Sequence, residues 1–247
     1  MALELKDIHV AVDGIEIIKG ITLNFQPGKI YALMGPNGGG KSSLVQAIMG
    51  HPKYKVTSGK IILDGKDLTS EKPEVRAKAG LFLSFQYPAE IAGVTISNFI
   101  RAAVNARRNE PLSVLDFHKL LKEKMAELKM DSSFSKRYVN AGFSGGEKKR
   151  AEILQLVMLQ PQYAFLDETD SGLDVDAIKI VAEGISALRK KTNMAIIVIT
   201  HYQRFLDYLE PDTVSIMASG KIIASGGKEL TRRIEREGFE NLPEAAL

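Results

Sequence analysis

The chain predicts an α/β fold. It has a core of parallel strands built on a phosphate-binding loop, an antiparallel β layer at the N-terminal end, and a mainly helical lobe inserted into the core. Three observations predict it. First, the apolar run Ile30-Tyr31-Ala32-Leu33-Met34 breaks into Gly35-Pro36-Asn37-Gly38-Gly39-Gly40-Lys41-Ser42. An apolar-periodic segment with Leu44, Val45, Ala47 and Ile48 follows, so the stretch reads as strand, glycine loop and helix. Second, short continuous apolar runs recur at Gly80–Phe85, Tyr163–Leu166 and Met194–Ile199, the pattern of strands buried on both faces. Third, residues 95–140 are helical in pattern, with Leu121, Met125 and Leu128 on one stripe and no strong strand signal.

Taken in order, Ile8, Val10 and Val12 alternate, Asp13-Gly14 turns the chain, and Ile21, Leu23 and Phe25 alternate again. This is a hairpin-like pair with one half-buried face. Gln26-Pro27-Gly28 ends it, and His51-Pro52 stops the helix after the glycine loop. Gly59 to Lys66 reads as a short strand with Ile61 and Leu63, ending at Asp64-Gly65. The strand from Gly80 ends on Gln86, and the character changes from Tyr87. The whole of 1–247 is read as one domain, with its α/β core at about 1–86 and 153–247 and its helical lobe at about 87–152. Phe143-Ser144-Gly145-Gly146-Glu147 opens a helix through Leu159. Asp174 to Leu188 is an amphipathic helix with Ile178, Val181, Ile185 and Leu188 inward. Val214 to Ala224 is a hairpin around Ser219-Gly220, and 228–247 is a charged surface helix with a loose tail.

Composition narrows the function. A net charge of +3 with no long basic run argues against nucleic acid as a partner. The longest strongly apolar run, Met194–Ile199, is far too short for direct membrane insertion. The N-terminus shows neither a signal-peptide apolar region nor Arg-rich transit character, so the expectation is a soluble cytoplasmic protein. There are no cysteines, which excludes disulfides, thiolate catalysis and cysteine-ligated zinc or iron–sulfur centres within this chain. His9, His51, His118 and His201 show no metal-ligand spacing.

The glycine stretch fits G-x-x-x-x-G-K-[ST], with Gly35, Gly40, Lys41 and Ser42 in the fixed places. Backbone N–H groups from Gly35 through Ser43, with Pro36, Asn37, Gly38 and Gly39 between, can turn inward around a phosphate at a helix N-terminus. Lys41 can reach β- and γ-phosphates, and the Ser42 hydroxyl can sit on Mg²⁺. Two further strands end in polar pairs, Asp167-Glu168 and Thr200-His201. Ligands of open parallel sheets sit at the carboxyl ends of strands, so these pairs could converge on the loop. Asp167 is placed to hold Mg²⁺ and Glu168 to act as general base on water. Gln86 could touch both metal and water, and His201 could bond a γ-phosphate oxygen. Ser144 and Gly146 lie at a second anion-binding helix start, about a hundred residues further on and in the other lobe. One full phosphate loop and one spare anion site suggest two copies meeting head to tail in a two-fold arrangement.

Together these motifs resemble ATP-binding cassette (ABC) ATPases over nearly the whole chain. Gly35–Ser42 is similar to Walker A, Gln86 to the Q-loop, Phe143–Glu147 to the signature motif, Phe165–Glu168 to Walker B, Ser171-Gly172-Leu173-Asp174 to the D-loop, and His201 to the switch histidine. The resemblance implies a RecA-like P-loop core, ATP with Mg²⁺, and transient ATP-dependent homodimerisation in which the partner copy supplies Ser144 and Gly146. Within the family, Phe85–Glu90, Gly142–Arg150, Asp167–Asp174 and Thr200–Arg204 resemble the SufC branch, the ATPases of SUF iron–sulfur cluster assembly. That likeness implies SufB/SufD-like scaffold subunits as partners, with a contact near Gln86–Gly93. The nucleotide-binding subunit of a membrane transporter is the alternative, and a non-hydrolysing nucleotide-binding module is a third. The chain departs from common family members at three places. Val12 stands where an adenine-stacking aromatic is frequent, Gly39 replaces a serine-like residue, and the signature reads FSGGE rather than LSGGQ.

Overall fold

The computed structural model describes residues 1–85, 88–169, 175–200 and 203–239. The chain opens with β1 (Leu3–Val12) and β2 (Ile15–Phe25), followed by β3 (Ile30–Met34), α1 (Lys41–Ile48), β4 (Lys55–Leu63), β5 (Lys66–Asp67), α2 (Pro73–Lys78) and β6 (Leu81–Ser84). The lobe contributes β7 (Ile91–Thr95), α3 (Ile96–Asn105), α4 (Val114–Glu127), a 3₁₀ turn at Ser132–Lys136, β8 (Tyr138–Val139) and α5 (Gly145–Leu159). The core then resumes with β9 (Tyr163–Asp167), α6 (Val175–Thr192), β10 (Ala195–Ile199), α7 (Gln203–Leu209), β11 (Thr213–Ala218), β12 (Lys221–Gly226) and α8 (Glu229–Glu237).

Among the described residues the strands form an antiparallel sheet ordered β2-β1-β4-β5 and a larger sheet ordered β12-β11-β3-β10-β9-β6. Every pairing from β11 to β6 in the larger sheet is parallel, and β12 closes one edge antiparallel. The continuous apolar strands are explained by burial on both faces. Leu33, Leu83, Phe165 and Ile197 join the antiparallel layer and α1. Their alternating neighbours Ala32, Phe82, Ala164 and Val198 join α5, α6 and α7 on the other side. A third cluster, including Ile100, Phe117, Leu121, Phe134 and Leu154, fills the helical lobe. Helix α5 serves both, since Leu154 and Met158 face the lobe cluster while Ile153 and Val157 face the sheet. A division drawn near residue 152 therefore falls inside one continuous helix.

Two readings need correction. The strand expected from Gly59 begins at Lys55, and Gly59 lies inside it with φ +87°. It faces the irregular step of β1 between Lys6 and His9, where a Cβ would come within 2.2 Å of the Asp7 carbonyl oxygen. The glycine marks a close backbone approach, not a strand end. The lobe also holds a small β7–β8 ladder inside the stretch read as helical. With Gly93 in one strand and two residues in the other, it is too short to show alternation.

Arg76 is a buried residue whose role has no local sequence signal. Its guanidinium donates to the carbonyls of Ala47 and Ile48 at the end of α1, at 2.8 and 2.7 Å. It also reaches Glu71 and Thr69 carbonyls, both at 2.8 Å. It thereby caps the helix that begins with the phosphate loop. Replacing Arg76 with Met is expected to destabilise the fold by about 2–4 kcal/mol, through orphaned carbonyls and a lost ionic donor. Urea unfolding of the two proteins measures the difference.

Candidate active site

The parallel register brings the strand ends onto one rim. Ile199 of β10 pairs with Leu33 of β3 on one side and with Asp167 of β9 on the other. The next peptide is tied in as well, because the Glu168 N–H donates to the Ile199 carbonyl at 2.9 Å. Glu168 carries φ +47°, an uncommon conformation for a residue with a side chain, and it turns the chain sharply out of β9. The result is a cavity of about 240 Å³ lined by Asn37, Gly38, Gly40, Lys41, Ser42 and Glu168.

Tight packing against the β11–β12 hairpin shapes the loop. Gly35 has φ +143°, and a Cβ there would lie 1.9 Å from the Met217 carbonyl oxygen. A Cβ on Gly39 would meet the Met217 and Pro36 carbonyl oxygens at 2.9 and 3.0 Å, so backbone closes the space that a serine side chain needs. The Gly220 N–H donates to the Gly39 carbonyl at 3.0 Å and anchors loop to hairpin. Helix α1 starts from Gly40 with no side-chain cap, which leaves its first N–H groups for an external acceptor.

Lys41 is 7% exposed and its Nζ donates to the Gly35 and Pro36 carbonyls at 2.8 and 2.9 Å. Burial pulls its pKa down, while the carboxylates of Glu168 and then Asp167 push it back up. The Ser42 hydroxyl donates to Asp167 Oδ1 at 3.2 Å. Burial drives the Asp167 carboxyl above its ordinary value; the Ser42 hydrogen bond opposes this, and neighbouring Glu168 adds to it. A folded-state pKa above the unfolded one means this group favours the fold below the ordinary carboxylate pKa. That contribution is lost as pH rises through the raised value. Replacing Asp167 with Asn is therefore expected to raise the unfolding midpoint of the nucleotide-free protein at neutral pH. The gain should shrink as pH falls toward about 4, and thermal melts across that range check it.

Paired oxygens from Ser42 and Asp167 form a hard donor set of the kind that suits magnesium. Among the described residues no group of three or more His, Cys, Asp or Glu could hold a metal ion. A cation here would thus complete its shell from a ligand's phosphates and water.

The second anion element lies at the start of α5. Ser144 caps the helix in a reciprocal box: the Glu147 N–H donates to Ser144 Oγ at 3.3 Å, and the Ser144 N–H donates to Glu147 Oε2 at 2.9 Å. Ser144 and Gly145 are exposed, and neither Ser144 nor Gly146 lines the cavity at the loop. The structure therefore joins Lys41, Ser42, Asp167 and Glu168 with the glycine loop and leaves Ser144 and Gly146 out. Gln86, His201 and Ser171–Asp174 lie outside the described residues. Sequence reasoning missed the supporting shell. Beside Met217 and Gly220 it contains a buried Lys149–Glu152 pair at 3.1 Å, with Lys149 also reaching the Phe85 carbonyl at 3.3 Å. A lysine and a glutamate three apart on a helix look like a solvated pair, and only their burial distinguishes them.

Comparison with known proteins gives this arrangement a context. The family model described as "ABC transporter" matches residues 18–171. Vegetative protein 296 of Bacillus subtilis (strain 168) is 53% identical over 240 residues, covering 96% of this chain and 92% of that protein. A probable ATP-dependent transporter, ycf16 of Cyanophora paradoxa, is 52% identical over 99% of this chain and 96% of its own length. Among solved structures, a dimeric ATP-binding cassette in a post-hydrolysis state with ADP and Pi superposes with a TM-score of 0.81 at 19% identity. That match covers 92% of this chain and 99% of the other. A nucleotide-free cassette from an ABC transporter gives 0.76 at 22% identity, with 96% of each chain covered.

Proposed function

The chain belongs to the ABC transporter family of ATP-hydrolysing cassettes, and from that premise we propose that it is the cytoplasmic ATPase subunit of an iron–sulfur cluster assembly complex. In this reading it drives conformational change in a SufB/SufD-type scaffold. The observation that carries the catalytic part is the gathering of Lys41, Ser42 and Glu168 around one cavity at the glycine loop, with Asp167 behind them accepting from the Ser42 hydroxyl. Loop amides and Lys41 bind the triphosphate. Glu168 takes a proton from water as the water oxygen bonds to the γ-phosphorus, and the bond to the β–γ bridging oxygen breaks with its electron pair leaving on ADP. Ser42, Asp167 and Gln86 are the residues to hold magnesium, which would neutralise charge on the β- and γ-phosphates. His201 contacts the γ-phosphate. Ser144 and Gly146 act on the nucleotide of a second copy, consistent with the exposure of Ser144 and with the absence of both from the lining of this chain's own cavity. ATP therefore favours the closed pair, and this differential affinity moves the bound scaffold.

The SufC-like stretches support the choice of scaffold, and a chain without cysteine holds no cluster through thiolates. An apolar depression of about 270 Å³ between core and lobe, lined by Met49, Phe82, Leu83, Phe85, Ala103 and Leu159, is the proposed docking place. Phe85 is 47% exposed there. The transporter reading is favoured by the name of the Cyanophora relative, and the same depression would then receive a membrane subunit. No helix among the described residues is long and apolar enough to cross a membrane. Anaerobic affinity capture from native extract separates the two. Companion chains carrying iron and sulfide are expected, whereas a multispanning membrane protein in their place would overturn the scaffold assignment.

A further inference from the structure

The fifth position of the second anion element carries a carboxylate, in a place where repulsion of phosphate is expected. Glu147 stands one residue beyond Gly146 and is hydrogen-bonded to the Ser144 backbone at 2.9 Å. A bare negative charge this close to an incoming γ-phosphate would oppose the contact that Ser144 is there to make. The described structure supplies one cation against it. The Arg137 guanidinium pairs with Glu147 through its two terminal nitrogens, one of them very close to Oε1 and the other 3.4 Å from Oε2. It also donates to the Gly142 carbonyl at 3.4 Å and lies over the Phe143 ring at 4.2 Å and the Phe134 ring at 5.2 Å. The neighbouring lysines are committed elsewhere, Lys148 to Glu90 at 3.7 Å and Lys149 to Glu152 at 3.1 Å.

We propose that Arg137 is a positioning residue for the signature element. It neutralises Glu147 and clamps the Gly142–Glu147 turn, so that Ser144 meets the phosphate of a second copy without opposition. The clamp explains how this chain uses glutamate where a neutral glutamine would form the same capping box. Arg137 and Phe134 come from the 3₁₀ turn and its exit, ahead of the motif, so the turn is held from both sides. Glu147 is ionised throughout the working range, its pKa held down at about 2 by Arg137 first and the Ser144 N–H second. The pair thus presents the phosphate with no net charge, and Ser144 Oγ accepts from the Glu147 N–H while keeping its own hydrogen for an incoming oxygen.

The proposal rests on the trans arrangement above, and the experiment keeps the two apart. ATP-driven dimerisation is measured by sedimentation in the Glu168→Gln background for Arg137→Met, Arg137→Met/Glu147→Gln, Glu147→Gln and Ser144→Arg, with MgATP affinity of the monomer measured alongside. Arg137→Met is expected to weaken the dimer about tenfold or more with monomer affinity for MgATP unchanged. The double variant is expected to return to the Glu147→Gln value, because removing the carboxylate removes the need for the cation. A merely structural Arg137, holding the turn by its stacking alone, would leave the double variant as weak as the single one, and that result overturns the proposal. Wild-type dimerisation of Arg137→Met beside a failing Ser144→Arg overturns it as well. If Ser144→Arg dimerises normally, the trans arrangement itself is wrong and the proposal falls with it.

Discussion

Glu168→Gln is expected to lower kcat by about 10²- to 10⁴-fold, the range for loss of a positioned general base. MgATP binding should be retained and ATP-held dimers should persist. The expectation follows from the way Glu168 is mounted. Its backbone is turned to φ +47° and tied to the Ile199 carbonyl, so the residue leaves β9 at a fixed angle beside the glycine loop. A residue held in a sparsely populated conformation at a strand end is a frequent feature of catalytic sites. The amide preserves shape while removing the proton acceptor together with its negative charge. Single-turnover hydrolysis with radiolabelled ATP is the direct check. Near-normal turnover in the Gln variant would assign the base to another group.

Loss of the Lys41 ammonium should cost binding rather than chemistry alone. Lys41→Ala is expected to weaken ATP about 10- to 100-fold, the equivalent of one strong charge-assisted contact. The ammonium bonds the Gly35 and Pro36 carbonyls, so it closes the loop upon itself. A triphosphate must compete for it, and the phosphate charges then raise a pKa that burial had lowered. Lys41→Arg should fare little better, because a planar fork does not fit between two carbonyls in a site that leaves 7% of the residue exposed. Calorimetric titration with a slowly hydrolysed ATP analogue distinguishes the two variants. Retention of wild-type affinity by Lys41→Ala would show that the backbone amides suffice.

Much of this site is legible in the chain because its parts are local. A phosphate loop needs a strand, glycines and a helix start within about twenty residues, and all of that is contiguous from Ile30 to Met49. The strand ends at Asp167 and Ile199 are visible as apolar runs broken by polar residues, since parallel strands buried on both faces leave no other pattern. The capping box at Ser144 and Glu147 is likewise a short-range signal.

Long-range apposition was not legible. No local pattern says that the Met217 carbonyl presses on Gly35 and Gly39, that Gly220 anchors the loop, or that Arg76 caps α1 from nearly thirty residues away. The same holds for Gly59, whose place opposite a β1 irregularity turns an apparent terminator into a strand interior. Residue types and their spacing declare which chemistry a chain can perform, because dihedral freedom, hydrogen-bonding capacity and charge belong to the residues themselves. Which cation faces Glu147, and which carbonyls leave room for nothing larger than hydrogen at Gly35, depend on close packing of segments remote in sequence. Those choices belong to the folded state.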